Sequence, residues 1–173
     1  MNKSIISIAS KKPQIGERVF IADGARLIGD VKIGDDSSVF FNSVLRADIA
    51  SISIGKQTNI QDNVSVHLSH DLGVSVGDNV TVGHNAILHA CTIEDFCLIG
   101  MGSIIMDGAH IRKNSIVAAG ALVPAGKEYP EASLIVGVPA RVLRSLTVEE
   151  MQITARNNYA YVDLKNKYIE GFE

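Results

Sequence analysis

The amino-acid sequence predicts a mainly β protein: a single-domain parallel β-helix with a C-terminal α-helix packed on it. Two observations predict this fold. Aliphatic residues recur at every sixth position over most of the chain, and apolar residues change to helical spacing near its end. A period of six fits neither an α-helix nor an alternating strand. Each step is instead typical of a very short strand followed by a turn, and three steps close one triangular coil.

The composition limits both the size and the chemistry of the protein. The 173 residues are enough for one domain with a sizeable core. Although 46% of them are hydrophobic, only 5% are aromatic, so the core consists of small aliphatic side chains. A net charge of −3 gives no electrostatic reason to expect binding to nucleic acid or to an anionic membrane. No long apolar segment is present, and we expect a cytoplasmic protein.

The six-residue period can be followed through the middle of the chain. The aliphatic positions are Ile21, Leu27, Ile33, Val39, Leu45, Ile54, Ile60, Val66, Val76, Val82, Leu88, Ile93, Ile99, Ile105, Ile111, Val117 and Val123. These side chains are expected to point inward, while Gly, Asp and Asn form the corners. We assign residues 19–125 to the β-helix and residues 1–18 to an extended lead-in. Cys91 and Cys97 are predicted to be buried, unreactive thiols.

After the repeats, residues 126–146 are interpreted as a closing segment and residues 147–173 as a helix of the same domain. Thr147 and Glu150 have the spacing of a capping box at the start of this helix. Apolar residues then follow at helical spacing and are expected to pack against the β-helix: Val148, Met151, Ala155, Tyr159, Val162 and Ile169.

The repeat register predicts where polar residues lie in space. Because three steps make one coil, Arg46, His67 and His89 are expected above one another in consecutive coils, about 4.8 Å apart per layer. The same count places Asp62 directly below His84, about a third of a turn away. The two ladders cannot meet within one chain. A homotrimer around a threefold axis would set one ladder against the other ladder of the neighbouring subunit.

The three histidines therefore predict metal sites at subunit interfaces. Three neutral imidazoles with an open fourth position are typical of a catalytic zinc, although iron or cobalt also fits a three-nitrogen site. A single histidine on a β-helix is more often a surface or hydrogen-bonded residue. The stacked register favours His67, His84 and His89 as ligands.

The ordered motifs around these residues resemble the γ-class carbonic anhydrases. The motifs are Val44-Leu45-Arg46-Ala47-Asp48, Asn59-Ile60-Gln61-Asp62-Asn63, His67, Val80-Thr81-Val82-Gly83-His84, Leu88-His89-Ala90-Cys91 and Leu98-Ile99-Gly100-Met101-Gly102-Ser103. The resemblance implies a left-handed β-helix and a homotrimer with zinc or iron at its interfaces. His67 and His89 would come from one subunit and His84 from the next.

The resemblance also implies an activity and further site residues. The activity is the reversible hydration of carbon dioxide to bicarbonate by hydroxide on the metal. The matching residues are Gln61, the active-site glutamine; Asn59 and Asp62, in the same pocket; Tyr161, on the terminal helix; and Arg46 and Asp48, which support the subunit interface.

The sequence departs from the family pattern at two acidic positions. Ile49 follows the Arg-x-Asp motif where the archetype has an acid, and the short insertion Ser69–Gly73 replaces an acidic loop that carries a proton shuttle. His70 and Asp71 are the candidate substitutes, because an imidazole titrates near neutral pH. The alternative is a solvated turn.

Two other functions fit a hexapeptide-repeat protein. One is acyl or acetyl transfer from coenzyme A, with a single histidine as general base between subunits. The other is non-catalytic binding of metal or bicarbonate. Three stacked histidines together with Arg46, Asp48 and Gln61 argue against acyl transfer, whereas only an assay separates the enzyme from a non-catalytic relative.

Overall fold

The computed structural model describes residues 4–171, in which twenty strands precede one helix. The elements are β1 Ile5–Ile6, β2 Gln14–Ile15, β3 Phe20–Ile21, β4 Arg26–Ile33, β5 Ser38–Val39, β6 Val44–Ile54, β7 Asn59–Ile60, β8 Ser65–His67, β9 Val74–Val76, β10 Thr81–Val82, β11 Ile87–His89, β12 Thr92–Ile93, β13 Leu98–Ile99, β14 Ile104–Ile105, β15 His110–Ile111, β16 Ile116–Val117, β17 Leu122–Val123, β18 Glu128–Tyr129, β19 Ser133–Gly137, β20 Ala140–Ser145 and α1 Val148–Glu170.

The strands form a parallel β-solenoid of about seven turns, which confirms the predicted fold class. One end of the long strand β6 pairs with β8 and the other end pairs with β9, so β6 turns a corner of the coil. Two faces of the solenoid therefore merge into one twelve-stranded sheet, and the third face is an eight-stranded sheet from β3 to β20. Among the named strands, only β19 and β20 pair in antiparallel fashion.

The predicted inward aliphatic positions form the core. All of them are buried except Ile21, which is half-buried. The inward column continues to Tyr129 and Ile135, so the stack extends past residue 125. It also starts before residue 19, because β1 and β2 pair with β4 although that part of the sequence lacks the six-residue period. Residues 1–3 of the predicted lead-in lie outside the described residues.

Asparagine and glycine allow the sharp turn at one corner of every coil. Asn42, Asn63 and Asn85 have φ of 59°, 59° and 60°, and Gly102 and Gly120 take the same place in the next two coils with φ of 66° and 68°. Asparagine and glycine adopt this left-handed region more readily than other residues. The same backbone turn thus repeats from layer to layer, as the sequence predicts.

Both cysteines lie in the core, as predicted. Cys91 and Cys97 are free and buried. Burial raises the pKa of each thiol to about 12, so neither forms a thiolate near neutral pH.

The helix α1 starts at the predicted capping box. The Thr147 hydroxyl accepts a hydrogen bond from the Glu150 backbone N–H at 3.2 Å, and the Glu150 carboxylate accepts one from the Thr147 N–H at 2.9 Å. The helix packs against β3 and β7 of the eight-stranded sheet. Within residues 4–171, no helix is both long and apolar enough to cross a membrane.

The prediction that an apolar stripe of α1 packs against the β-helix is wrong. Val148, Tyr159 and Ile169 are 67%, 48% and 51% exposed, while Met151, Ala155 and Val162 are only partly buried. The buried side chains of α1 are instead Thr154, Asn158 and Lys165. The sheet below presents polar groups, and the helix docks on it through hydrogen bonds. Residues 172–173 of the predicted helix lie outside the described residues.

The second half of α1 is held by a buried lysine and an aromatic cluster. Lys165 is fully buried, and its Nζ donates to the Arg18 carbonyl at 2.7 Å and to Asp36 Oδ1 at 3.0 Å. About one helical turn further along α1, Tyr168 stacks on Phe20 with ring centroids 5.0 Å apart. The hydrogen bond from Arg18 lowers the pKa of Asp36 to about 2; burial opposes this shift, and Lys165 adds to it.

This docking predicts an acid-dependent stability. The ordinary pKa of the Asp36 carboxyl is 3.8 and its pKa in the folded chain is about 2. Its ion pairs therefore add stability that is present above about pH 4 and is lost as the pH falls towards about 2. We expect Asp36→Asn to lower the free energy of unfolding at about pH 6 by about 2 kcal/mol or more, because the fully buried Lys165 also loses its negative partner. Urea unfolding followed by circular dichroism at several pH values measures this change.

The matched control is Asp163→Asn, which changes an exposed carboxylate on the same helix. That variant should keep the acid dependence of the parent protein. An Asp36→Asn protein whose stability still fell as steeply as the parent's between about pH 4 and pH 2 would contradict the assignment to Asp36.

Candidate metal centre

His67 and His89 lie one above the other on neighbouring coils. They are register partners in the parallel pair β8–β11. Because the preceding residues Val66 and Leu88 point into the core, both imidazoles point outward. The Nδ1 of His67 and the Nε2 of His89 are 3.3 Å apart. Leu45 pairs with Val66 in the coil below, so the predicted ladder of Arg46, His67 and His89 is confirmed.

The second nitrogen of His67 contacts a carboxylate. His67 Nε2 lies 3.1 Å from Asp48 Oδ1, and Arg46 binds the other oxygen of the same carboxylate. Burial on its own would raise the pKa of Asp48. Hydrogen bonds from His67, from the backbone and from Arg46 outweigh this effect, and the pKa lies below its usual range. Asp48 is therefore an anion that orients the His67 ring.

The second nitrogen of His89 also contacts a carboxylate, one that sequence reasoning missed. Asp107 Oδ1 lies 2.6 Å from His89 Nδ1. The repeat register contains the signal for this contact, because Leu88 pairs with Ile105 and Asp107 follows two residues later. A search limited to the residue directly after each aliphatic position overlooks it.

His84 lies on the eight-stranded sheet, away from the other two histidines. It follows β10, and its Nδ1 lies 3.0 Å from Asp62 Oδ2. The pairing of β7 with β10 aligns Ile60 with Val82, which confirms the second predicted ladder. Within residues 4–171 of a single chain, no group of three or more His, Cys, Asp or Glu side chains is placed to hold a metal ion.

A hydrogen-bonded chain of amides connects His84 to the helix. Gln61 Oε1 accepts from the His84 backbone N–H at 3.2 Å, and Gln61 Nε2 donates to Asn59 Oδ1 at 3.1 Å. Asn59 Nδ2 in turn donates to Asn158 Oδ1 at 2.7 Å. Asn158, which sequence reasoning also missed, is buried on α1 and donates to the Gln57 carbonyl. The helix thereby fixes the orientation of Gln61.

The phenol of Tyr161, on α1, lies near Gln61 and His84. It is half-buried and lines a groove together with Gln61 and His84. Burial and the negative charge of Asp62 raise its pKa, and a hydrogen bond with Gln61 acts in the opposite direction. The phenol is therefore neutral at physiological pH and can donate a hydrogen bond.

The candidate proton-shuttle residues lie on the surface. His70 and Asp71 are exposed in the turn between β8 and β9. Ile49, at the position of the archetype's acid, is 44% exposed. The structure thus places two titratable groups close in sequence to His67, in contact with solvent.

The geometry of the histidines fits a tetrahedral metal ion. Two nitrogens that each bind zinc at about 2.0–2.1 Å lie about 3.3–3.4 Å apart in a tetrahedral site. The distance between His67 Nδ1 and His89 Nε2 is 3.3 Å. A carboxylate contacts the other nitrogen of each ring, as is common for histidines that bind metals. Because His84 also has one nitrogen on a carboxylate, it could supply a third ligand of the same kind.

Comparisons with known proteins match the repeats of this chain and give relatives over most of its length. Models of the bacterial transferase hexapeptide and of the hexapeptide repeat of succinyl-transferase match residues 90–125 and 51–90. A mitochondrial gamma carbonic anhydrase 2 of Arabidopsis thaliana is 40% identical over 169 residues, which are 94% of this chain and 61% of the relative. The chain therefore spans less than two thirds of that relative's length.

Two solved structures have nearly the same backbone. A hexapeptide transferase family protein from Anaplasma phagocytophilum has a TM-score of 0.93 and 40% identity over 97% of this chain and 99% of its own. A proposed acetyltransferase of Bacillus cereus has the same TM-score and 43% identity over 95% of both chains. The names of these structures point to a transferase, whereas those of the sequence relatives point to a carbonic anhydrase.

Two shorter relatives are matched over nearly their whole length. A probable carbonic anhydrase of Methanocaldococcus jannaschii is 48% identical over 150 residues, 87% of this chain and 94% of the relative. The carbonic anhydrase of Geobacillus kaustophilus is 43% identical over 163 residues, 94% of this chain and 89% of the relative. The chain belongs to the γ-class carbonic anhydrase family of hexapeptide-repeat proteins.

Proposed function

We propose that the protein is a carbonic anhydrase that interconverts carbon dioxide and bicarbonate at metal centres between the subunits of a homotrimer. His67 and His89 of one subunit and His84 of the next hold the metal, which is zinc or, alternatively, iron or cobalt. The observation that carries this proposal is the 3.3 Å distance between two outward imidazole nitrogens on adjacent coils, since a tetrahedral metal needs this spacing.

Three carboxylates determine which nitrogen of each histidine is available. Asp48 accepts from His67 Nε2–H, Asp107 from His89 Nδ1–H and Asp62 from His84 Nδ1–H. Each hydrogen bond selects the tautomer in which the opposite nitrogen keeps its lone pair. The rings are thus oriented before a metal arrives, which lowers the cost of binding.

The metal and the surrounding amides have separate tasks. His67, His84 and His89 would hold the metal, and zinc bound there would give a water with a pKa of about 7, which is a nucleophile for carbon dioxide at neutral pH. The Gln61 amide uses one N–H on Asn59, and its second N–H can pass from the Tyr161 hydroxyl to a substrate oxygen. Tyr161, whose pKa is raised, donates from the other side. Together they orient the substrate.

Turnover also requires a proton to leave the site. His70 and Asp71 are the candidates for this step, because both are exposed in the turn that follows His67. An imidazole exchanges protons with solvent near neutral pH, and a proton handed to His70 reaches bulk buffer directly. In this proposal the short turn takes the place of the acidic loop of the archetype.

Acyl transfer is the second candidate, favoured by the names of the two solved structures described above. The His84–Asp62 pair would then act as the general base. The paired geometry of His67 and His89 would have no role in that reaction. This difference makes the two functions separable by variants.

Stopped-flow hydration of carbon dioxide tests the proposed function. The protein is loaded with zinc, or with iron under anaerobic conditions, and its metal content is measured beforehand. We expect hydration above background in the loaded protein and a loss of at least about 100-fold in His89→Ala, because that variant lacks one ligand and cannot hold the metal.

The matched control is His110→Ala. His110 also lies on an outward face of the solenoid and contacts the Glu94 carboxylate at 2.8 Å, but it belongs to another ladder. This variant should keep both metal and activity. Stoichiometric metal with hydration at background in the parent protein would rule out the carbonic anhydrase and leave acyl transfer or metal binding alone.

A second prediction concerns Asp107. Replacing it with Asn leaves His89 in place but weakens the hydrogen bond that selects its tautomer. We expect Asp107→Asn to lower zinc affinity about 10- to 100-fold, measured by competition with a chromophoric chelator. The control Asp95→Asn removes a carboxylate that accepts from backbone N–H at another corner and should leave zinc affinity unchanged. Equal affinities in the two variants would contradict a role for Asp107.

A further inference from the structure

A groove leads away from the candidate centre along the underside of α1. It has a volume of about 440 Å³ and lies between the middle of the helix and the eight-stranded sheet. Its polar end is formed by Gln61, His84 and Tyr161. The rest of the lining is mostly apolar, with Leu98, Met101, Ile116 and Ala160 among its side chains, although Thr81 and Asn157 also line the groove.

The groove is much larger than the proposed reaction requires. Carbon dioxide and bicarbonate have three or four heavy atoms, whereas cavities of about 300–1,000 Å³ are typical of sites for drug-sized ligands. The groove therefore has room for a chain of carbon atoms attached to a small polar head. The lining of the groove also changes along its length, from hydrogen-bonding groups at one end to mostly apolar side chains over the rest.

Alanine residues keep the groove open, and the stacked backbone does not require them. The close packing of successive coils requires glycine at positions 83 and 100. A Cβ on Gly83 would lie 2.7 Å from the Met101 backbone nitrogen, and a Cβ on Gly100 would lie 2.4 Å from the Ala119 backbone nitrogen. Ala119 and Ala160 have no such constraint, because both are exposed. Larger side chains at these two positions would fill the groove without disturbing the core.

We propose that this groove binds the aliphatic tail of a straight-chain carboxylate of roughly six to eight carbons. Its head group takes the place of bicarbonate beside Gln61 and Tyr161, so this inference rests on the proposed function. A carboxylate resembles bicarbonate in its two oxygens and charge. Asp62 lies beside this end of the groove, 3.0 Å from His84 Nδ1, and the cation that the proposed function places on His84 would offset its negative charge. The site thus accepts an amphipathic acid in addition to the small substrate.

The test is calorimetric binding of acetate, butanoate, hexanoate and octanoate to the full-length, metal-loaded protein. Burial of each added methylene should tighten binding about two- to fourfold. Ala160→Leu should weaken octanoate binding at least about tenfold and leave acetate unchanged, because leucine fills only the apolar part. Leucine is a good helix former, so the exposed position tolerates it. The control Ala125→Leu, at an exposed corner outside the groove, should bind like the parent.

Three results would overturn the proposal, and none of them depends on catalysis. Affinities that do not rise with chain length overturn it, and so does octanoate binding that Ala160→Leu leaves unchanged, which is the result expected if a neighbouring subunit fills the groove. The probe 1-octanol has a tail without the acid; if it binds as tightly as octanoate, the carboxylate head has no site and the proposal fails. Chain-length-dependent binding without carbon dioxide hydration would support the groove while overturning the proposed function.

Discussion

The parallel pairing of successive coils is the constraint on which the candidate centre depends. His67 and His89 are adjacent because the backbone of β8 is hydrogen-bonded in register with that of β11. Layers in such a stack repeat at about 4.8 Å, and a tilt of 51° between the rings brings two nitrogens to 3.3 Å. The spacing needed by a metal thus comes from a rigid scaffold, which is the most reliable way to hold ligands in place.

Polar contacts around this scaffold orient the side chains that the backbone only positions. Asp48, Asp62 and Asp107 each contact one histidine. The amide chain from Asn158 through Asn59 to Gln61 connects the helix to the His84 corner. Buried amides need such partners, because an unpaired one costs roughly 1–3 kcal/mol. Docking of the helix and organisation of the site therefore use the same hydrogen bonds.

Most of the fold and both histidine ladders could be predicted from the sequence, because a period of six determines which side chains point inward and which residues lie above one another. The period carries no information about the first two strands, whose pairing with β4 depends on tertiary contacts. It also cannot predict which side of α1 docks. That choice depends on the polar surface formed by residues such as Asn59 and Thr81, which bind Asn158, so the helix buries its polar side there. Asp107 was missed because its side chain reaches His89 from two positions beyond the core residue.

The central claim, that each metal is shared between two subunits, is tested most directly by the metal content of mixed trimers. A His84→Ala chain keeps His67 and His89, and a His89→Ala chain keeps His84. Each variant alone should be metal-free after dialysis. When the two are co-assembled and trimers with both chains are isolated, one of the three interfaces regains a complete ligand set. We expect about one metal ion per mixed trimer. Mixed trimers that hold no more metal than either variant alone would contradict it.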